Sequence, residues 1–212
     1  MLGLVLILAG YLLGSLSSAV IISKLWHLPD PRKMGSKNPG ATNMLRVGGN
    51  LPALCTLLGD GLKGFLPVYY TKIYLSNLIS PKIFLLVSFN SFNYNEWVVS
   101  AVFLAVVLGH LYPIFFEFKG GKGVATALGG LFALKMGLGL SFVGIWLITA
   151  TLTRYSALSA LVASAVIPII AYAWVVPEYT VTILMVSLLI FWRHRVNIQQ
   201  LIKGTEGKIG ER

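Results

Sequence analysis

The stretch Asp30–Arg46, DPRKMGSKNPGATNMLR, collects the groups from which an anion cradle is built. Arg32, Lys33, Lys37 and Arg46 supply cations, while Ser36, Asn38, Thr42 and Asn43 supply hydroxyls and amides. Gly35 and Gly40 let backbone come close to a ligand and allow φ > 0, so that turned N–H groups add to the cradle. Such a loop suits a phosphate at a membrane surface. A solvated inside loop whose cations only fix topology is the plainer reading.

A second cluster, GHLYPIFFEFKGGKGVAT, runs from Gly109 to Thr126 and carries a Gly120-Gly121-Lys122-Gly123 turn leading into a helix. Free N–H groups and the positive end of the helix dipole beside Lys122 favour an anion. The turn is not a nucleotide-binding P-loop, because Phe116 and Gly123 stand where that pattern needs Gly and Ser or Thr. His110 reads as a hydrogen-bonded packing residue, and Glu117 as the local ion partner of Lys119.

A third cluster, WRHRVNIQQLIKGTE, brings His194, Asn197 and Glu206 near Arg193 and Arg195. Two flanking arginines disfavour a charged imidazole, so His194 is expected to be neutral. Arg195 reads as a basic flank to a membrane segment. An Arg154-Tyr155-Ser156 turn completes the set. There is no nucleophile motif and no metal-ligand spacing, so no metal and no cofactor are expected. The substrate should therefore bring its own activation.

These clusters need elements to carry them. With 212 residues, 56% hydrophobic, 11% charged and a mean hydropathy of +0.79, the chain is too apolar for a soluble domain. Nucleic acid is a poor account of the +10 charge. Cys55 has no intrachain partner for a disulfide. The apolar blocks match the ~30 Å hydrocarbon core, so an all-α integral membrane protein is expected.

A retained first helix spans Leu2–Leu25, ended by Pro29 and Pro31. A second runs from about Leu51 to Tyr74 and embeds Asp60 and Lys63, which can pair across one turn. Ser76–Glu96 reads as an external loop along the interface. Trp97–Phe116 follows, then Val124–Thr153, which is one long tilted helix or two short ones turning near Lys135. Leu158–Val176 and Tyr179–Trp192 are the last spans.

Charge decides the count. With the Asp30–Arg46 loop inside, seven crossings put thirteen of the seventeen Lys and Arg inside and leave only Lys72, Lys82 and Lys135 outside. Six would send the basic tail outward, so the positive-inside rule favours seven. All four polar clusters then share one face. Residues 1–212 read as a single domain without repeats.

At these same residues the chain resembles the bacterial acyl-phosphate-dependent glycerol-3-phosphate acyltransferases of phospholipid synthesis. The resemblance covers nearly the whole chain in order. It takes in Gly14-Ser15, the Asp30–Arg46 string, Asp60 with Lys63-Gly64, the Gly109–Thr126 string, Arg154-Tyr155, RHRVNI and Gly204-Thr205-Glu206. It implies a compact bundle of seven helices with its site loops on the cytoplasmic side of the bacterial inner membrane. The implied reaction moves a fatty acyl group from acyl phosphate to the 1-hydroxyl of glycerol 3-phosphate, giving 1-acylglycerol 3-phosphate and phosphate.

Carried over by the resemblance, Arg32, Ser36, Asn38, Gly40, Thr42, Asn43 and Arg46 bind phosphate and position glycerol. Gly120, Gly121, Lys122 and Gly123, with Lys119 close by, form a second phosphate turn. His194 and Asn197 complete the site and Glu206 holds the tail. Catalysis is expected of Lys122, His194, Asn197 and Ser36. The partners are the two substrates and membrane lipid, and the protein is expected to be a monomer. Two departures are a longer Ser76–Glu96 segment, and Ala157 where the family usually has serine, with Ser156 adjacent.

Acyl phosphate is a mixed anhydride whose carbonyl is already electrophilic. Direct attack by the glycerol hydroxyl, without an acyl-enzyme, is then expected, with cations and amides holding two anions in line. A substrate phosphate oxygen and neutral His194 are both open as proton acceptor. A transporter for phosphorylated metabolites is the rival reading, because Gly-broken helices and basic groups suit one. A purely structural membrane subunit is the third.

Overall fold

The computed structural model describes residues 1–78 and 94–210. Among these residues the regular structure is helical throughout: α1 (Leu2–Gly14), α2 (Ser18–Leu25), α3 (Ala41–Gly48), α4 (Asn50–Leu78), α5 (Tyr94–Leu111), α6 (Val124–Leu134), α7 (Met136–Thr153), α8 (Ser156–Trp174), α9 (Pro177–Arg193) and α10 (Arg195–Ile202). A single 3-10 turn occupies Ile114–Phe116. Helices keep every backbone hydrogen bond within one segment, which is what a lipid solvent demands of this apolar sequence.

Four helices, α4, α5, α7 and α8, are long and apolar enough to cross a bilayer alone, and the bent pairs α1–α2 and α9–α10 raise the number to six. The expected seven is not reached on length. At eleven residues α6 is about 16 Å long, roughly half the hydrocarbon core. The Val124–Thr153 stretch does divide at Lys135, where the backbone turns extended between α6 and α7. Most of the expected interfacial loop, together with Lys82, falls at 79–93, outside the described residues.

The first span differs from the single helix expected. The chain bends by 42° between α1 and α2. At the bend Ser15 Oγ bonds back to the Tyr11 carbonyl at 2.8 Å, and Lys63 Nζ donates to the Leu16 carbonyl at 2.6 Å, satisfying an acceptor that the break releases. The break falls on Gly14-Ser15-Leu16-Ser17-Ser18, a short polar dip inside an otherwise apolar run.

Close packing rests on glycine. A Cβ on Gly64 of α4 would sit 2.0 Å from the Thr126 carbonyl oxygen of α6, and one on Gly129 of α6 would sit 2.0 Å from the Gly61 carbonyl oxygen. Gly14 of α1 and Gly109 of α5 press against backbone in the same way. Small residues let helices approach where lipid supplies no hydrophobic drive. An apolar core built around Val102, Phe103, Val106, Leu138, Phe142 and Ile183 fills the middle.

The two ends of the bundle differ. At one end Lys72 Nζ donates to the Leu134 carbonyl and Lys135 Nζ to the Trp174 carbonyl, each cation meeting the negative end of a helix. The starts of α6 and α8 and the ends of α5, α7 and α9 lie at the other end, with every polar cluster named above.

Candidate active site

The N-terminal loop is organised by one side chain. Asn43, almost wholly buried, accepts from the Ser36 N–H at 2.8 Å and donates to the Pro31 and Met34 carbonyls at 2.9 and 3.0 Å. Asn43 thus shapes the loop, with both its amide hydrogens spent within it. Gly35 makes room for it: its φ is +59°, and a Cβ there would lie 2.2 Å from Asn43 Oδ1. We expect Gly35→Ala to cost about 1–2 kcal/mol in backbone strain alone, read as a lower melting temperature together with lost activity.

Arg32 is not loose. It forms a bidentate pair with Asp30, with Nη2 to Oδ2 at 2.7 Å, and lies over the Phe116 ring. That guanidinium holds the Asp30 carboxyl below its usual range, and the carboxylate in turn raises Arg32. Gly40 caps the start of α3, whose Thr42 hydroxyl lies 3.3 Å from the Ser156 hydroxyl. Ser36, Thr42 and Arg46 are exposed at this end, and Asn38 is half-buried.

The glycine turn is held from two sides. Arg193, stacked over Tyr112, donates to the Gly120 and Gly121 carbonyls at 2.8 and 3.0 Å, and the Gly121 N–H donates to the His110 carbonyl at 3.2 Å. Gly123 then takes φ +87° and opens α6. Lys122 reaches across to donate to Asn197 Oδ1 at 2.5 Å, and the Asn197 amide donates to both Glu206 oxygens at 3.0 Å.

Burial is the first cause lowering Lys122 to about 8, with Arg46 and Arg193 adding to it and Glu206 opposing. His194 is 3% exposed and lies at the hinge between α9 and α10, beyond the spanning part of α9. Burial, with Lys122 close by, lowers it to about 4. It is neutral at physiological pH, but burial and Lys122 are the main causes; of the two flanking arginines only Arg193 contributes, and least. Its Nδ1 lies 2.8 Å from the Ile190 carbonyl, which can only accept, so Nδ1 carries the hydrogen and Nε2 is left as an acceptor.

The clusters close on one another. Pro39 of the first loop backs onto Gly121, and the tail beyond α10 meets both Arg46, at Gly207, and Arg154, through the Ile209 N–H and the Arg154 carbonyl at 2.7 Å. Lys119 stands apart. It directly precedes the glycine turn, but its side chain pairs with Glu117 at 2.6 Å on the exposed surface. The side chain at position 122 turns inward, and the one three residues earlier turns out. Arg195 is also exposed, over Trp192, as a flank residue would be.

A profile of the family described as glycerol-3-phosphate acyltransferase matches residues 4–204. The chain belongs to that family. Among its relatives, the glycerol-3-phosphate acyltransferase of Idiomarina loihiensis is 46% identical over 203 residues, covering 96% of this chain and 94% of the relative. That of Methylobacillus flagellatus is 46% identical over 212 residues, covering 98% and 97%. The crystal structure of PlsY (YgiH), an integral membrane glycerol 3-phosphate acyltransferase, superposes in its glycerol 3-phosphate form with a TM-score of 0.85 at 34% identity, covering 99% of this chain and 96% of that one. Its lysophosphatidic acid form gives 0.82 at 33%.

Within this member of the acyltransferase family, sequence reasoning had passed over Arg193. In the sequence it stands only as a neighbour of His194, with the flank reading given to Arg195, yet it pins two carbonyls of the glycine turn. Its signal was position: it is the last residue of α9, whereas Arg195 already faces outward from α10.

Proposed function

We propose that this chain transfers a fatty acyl group from acyl phosphate to the 1-hydroxyl of glycerol 3-phosphate, releasing 1-acylglycerol 3-phosphate and inorganic phosphate. In this reading one domain, acting as a monomer, works at the cytoplasmic face of a bacterial inner membrane. The observation that carries it is the junction of Lys122, Asn197, Glu206, His194 and the glycine turn at one rim of an apolar bundle. Family membership supplies the acceptor, and the absence of a nucleophile motif in the sequence supports a self-activated donor.

Lys122 and the N–H groups of the turn, apart from that of Gly121, which is spent on the His110 carbonyl, neutralise phosphate charge, and Arg46 with the α3 start holds the second anion. Arg32, Ser36, Asn38, Gly40 and Thr42 border that second place. Asn197 keeps Lys122 from collapsing onto Glu206. The hydroxyl attacks the acyl carbonyl carbon, the C–O bond to phosphate breaks, and phosphate leaves with that electron pair. For the proton, His194 at about 4 is a weaker base than a phosphate monoester, whose second ionisation lies near ~6. The glycerol 3-phosphate oxygen is thus the better acceptor of the hydroxyl proton, for which His194 Nε2, able only to accept, would compete.

The deciding assay follows phosphate release from acyl phosphate in detergent or open vesicles, with free thiol release from acyl-CoA and from acyl-loaded acyl carrier protein measured in parallel. Release should require glycerol 3-phosphate. Release without it, or equal use of a thioester donor, refutes the donor assignment. Labelled acyl phosphate mixed rapidly with protein alone should leave no stoichiometric acyl-enzyme.

A pH dependence follows from Lys122. Its ammonium is the binding form and exists below a pKa of about 8, so kcat/KM should be full below 8 and fall as pH rises through it. A bound phosphate favours the ammonium and raises the pKa, so the fall in kcat lies at higher pH than the fall in kcat/KM. A flat kcat/KM from pH 7 to 10 would remove the cation from binding.

A further inference from the structure

The glycine turn rests on a buried polar pair that the mechanism above does not use. His110 lies at the end of α5, and its imidazole is wedged between α4 and the turn. Nε2 lies 2.3 Å from where a Cβ of Gly121 would stand, and Nδ1 is 3.7 Å from Asp60 Oδ1. The same residue's carbonyl accepts the Gly121 N–H and lies 2.1 Å from the Cβ position of Gly120. Behind it, Asp60 pairs with Lys63 at 2.9 Å, and Lys63 is tied to the Leu16 carbonyl at the α1–α2 break. A polar ring held between a carboxylate and a backbone turn is a costly filler inside a membrane bundle, where an apolar ring fills space as well.

We propose that His110, backed by Asp60 at 3.7 Å without a hydrogen bond between them, is a positioning residue that sets the height of the Gly120–Lys122 turn and so the reach of Lys122 toward phosphate. This rests on reading that turn as a phosphate site. The imidazole props Gly121 from below while Arg193 pulls the two carbonyls from the side, and together they fix where the N–H groups of the turn point. Substrate never touches His110. Its effect is carried by the turn, so it appears in binding more than in the chemical step.

The test uses the purified full chain and inorganic phosphate as probe, with titration calorimetry for binding and steady-state kinetics for both substrates. His110→Phe keeps a ring but removes both nitrogens. It should retain the wild-type melting temperature within a few degrees, weaken phosphate binding on the order of tenfold, and raise KM for one of the two substrates more than it lowers kcat. His110→Gln, which restores an amide at the ring edge, should recover part of the loss.

A double-mutant cycle with Gly121→Ala checks the route. If His110 acts through that contact, the double variant loses less than the product of the single losses. His110→Phe binding phosphate like wild type, or strictly multiplicative losses, overturns the proposal. If His110→Phe does not fold, the cycle run with His110→Gln decides alone. Failure of the wild type to bind phosphate at all would strike the phosphate reading of the turn instead.

Discussion

Lys122→Ala is expected to lower turnover by about two to three orders of magnitude, the usual loss when one preorganised charge donor is removed from developing negative charge, while the bundle stays folded. The structural grounds are specific. Lys122 sits on a loop between helices, and its ammonium binds a side chain, Asn197, and no backbone group needed for folding. Its loss removes a half-buried cation whose own desolvation is unfavourable, so stability should change little or improve. The loss should fall on kcat as well as on KM, since in the proposed reaction charge builds on the carbonyl and the leaving phosphate as the transition state forms. Kinetics beside a melting curve decide the point: a folded variant with wild-type turnover removes the second phosphate turn from the mechanism.

Asp60→Asn carries the largest expected loss of stability. Lys63 is buried and matched by Asp60 at 2.9 Å, and neutralising the carboxylate strands an ammonium among apolar helices. Breaking such a pair costs about 3–5 kcal/mol, whereas replacing both partners by neutral groups costs far less. Asp60→Asn should therefore unfold at a much lower temperature than the double variant Asp60→Asn with Lys63→Met. Equal melting temperatures for the two would show that the pair is not what holds α4 to the α1–α2 break.

Much of this architecture is legible in the sequence because lipid enforces so simple a rule. Apolar runs and the placement of Lys and Arg located every long helix and the division at Lys135, and the resemblance pointed to the family that the comparisons support. What stayed hidden was everything decided by contact. Nothing in Leu2–Leu25 marks a bend except three serines near it, Ser15, Ser17 and Ser18, because the acceptor freed there is answered by Lys63, far along the chain. Asn38 and Asn43 have the same chemistry on paper, yet Asn43 is sealed inside the loop. Lys119 and Lys122 differ only in which way a glycine turn points them. His110 read as packing because Asp60 comes from another segment and Gly121, eleven residues on, meets it only once the turn folds back.

The glycine seams between α4 and α6 and between α1 and α5 also bear on how such a protein can change over generations. Where a single methyl would collide with the neighbouring backbone, drift toward bulk is closed on both sides of each seam at once. Relatives living in thicker, thinner or colder bilayers must then adjust elsewhere, on the lipid-facing leucines and isoleucines such as Leu54, Leu62, Ile148 and Leu188. Comparing those positions across habitats should reveal rapid turnover wrapped around an interior that barely moves.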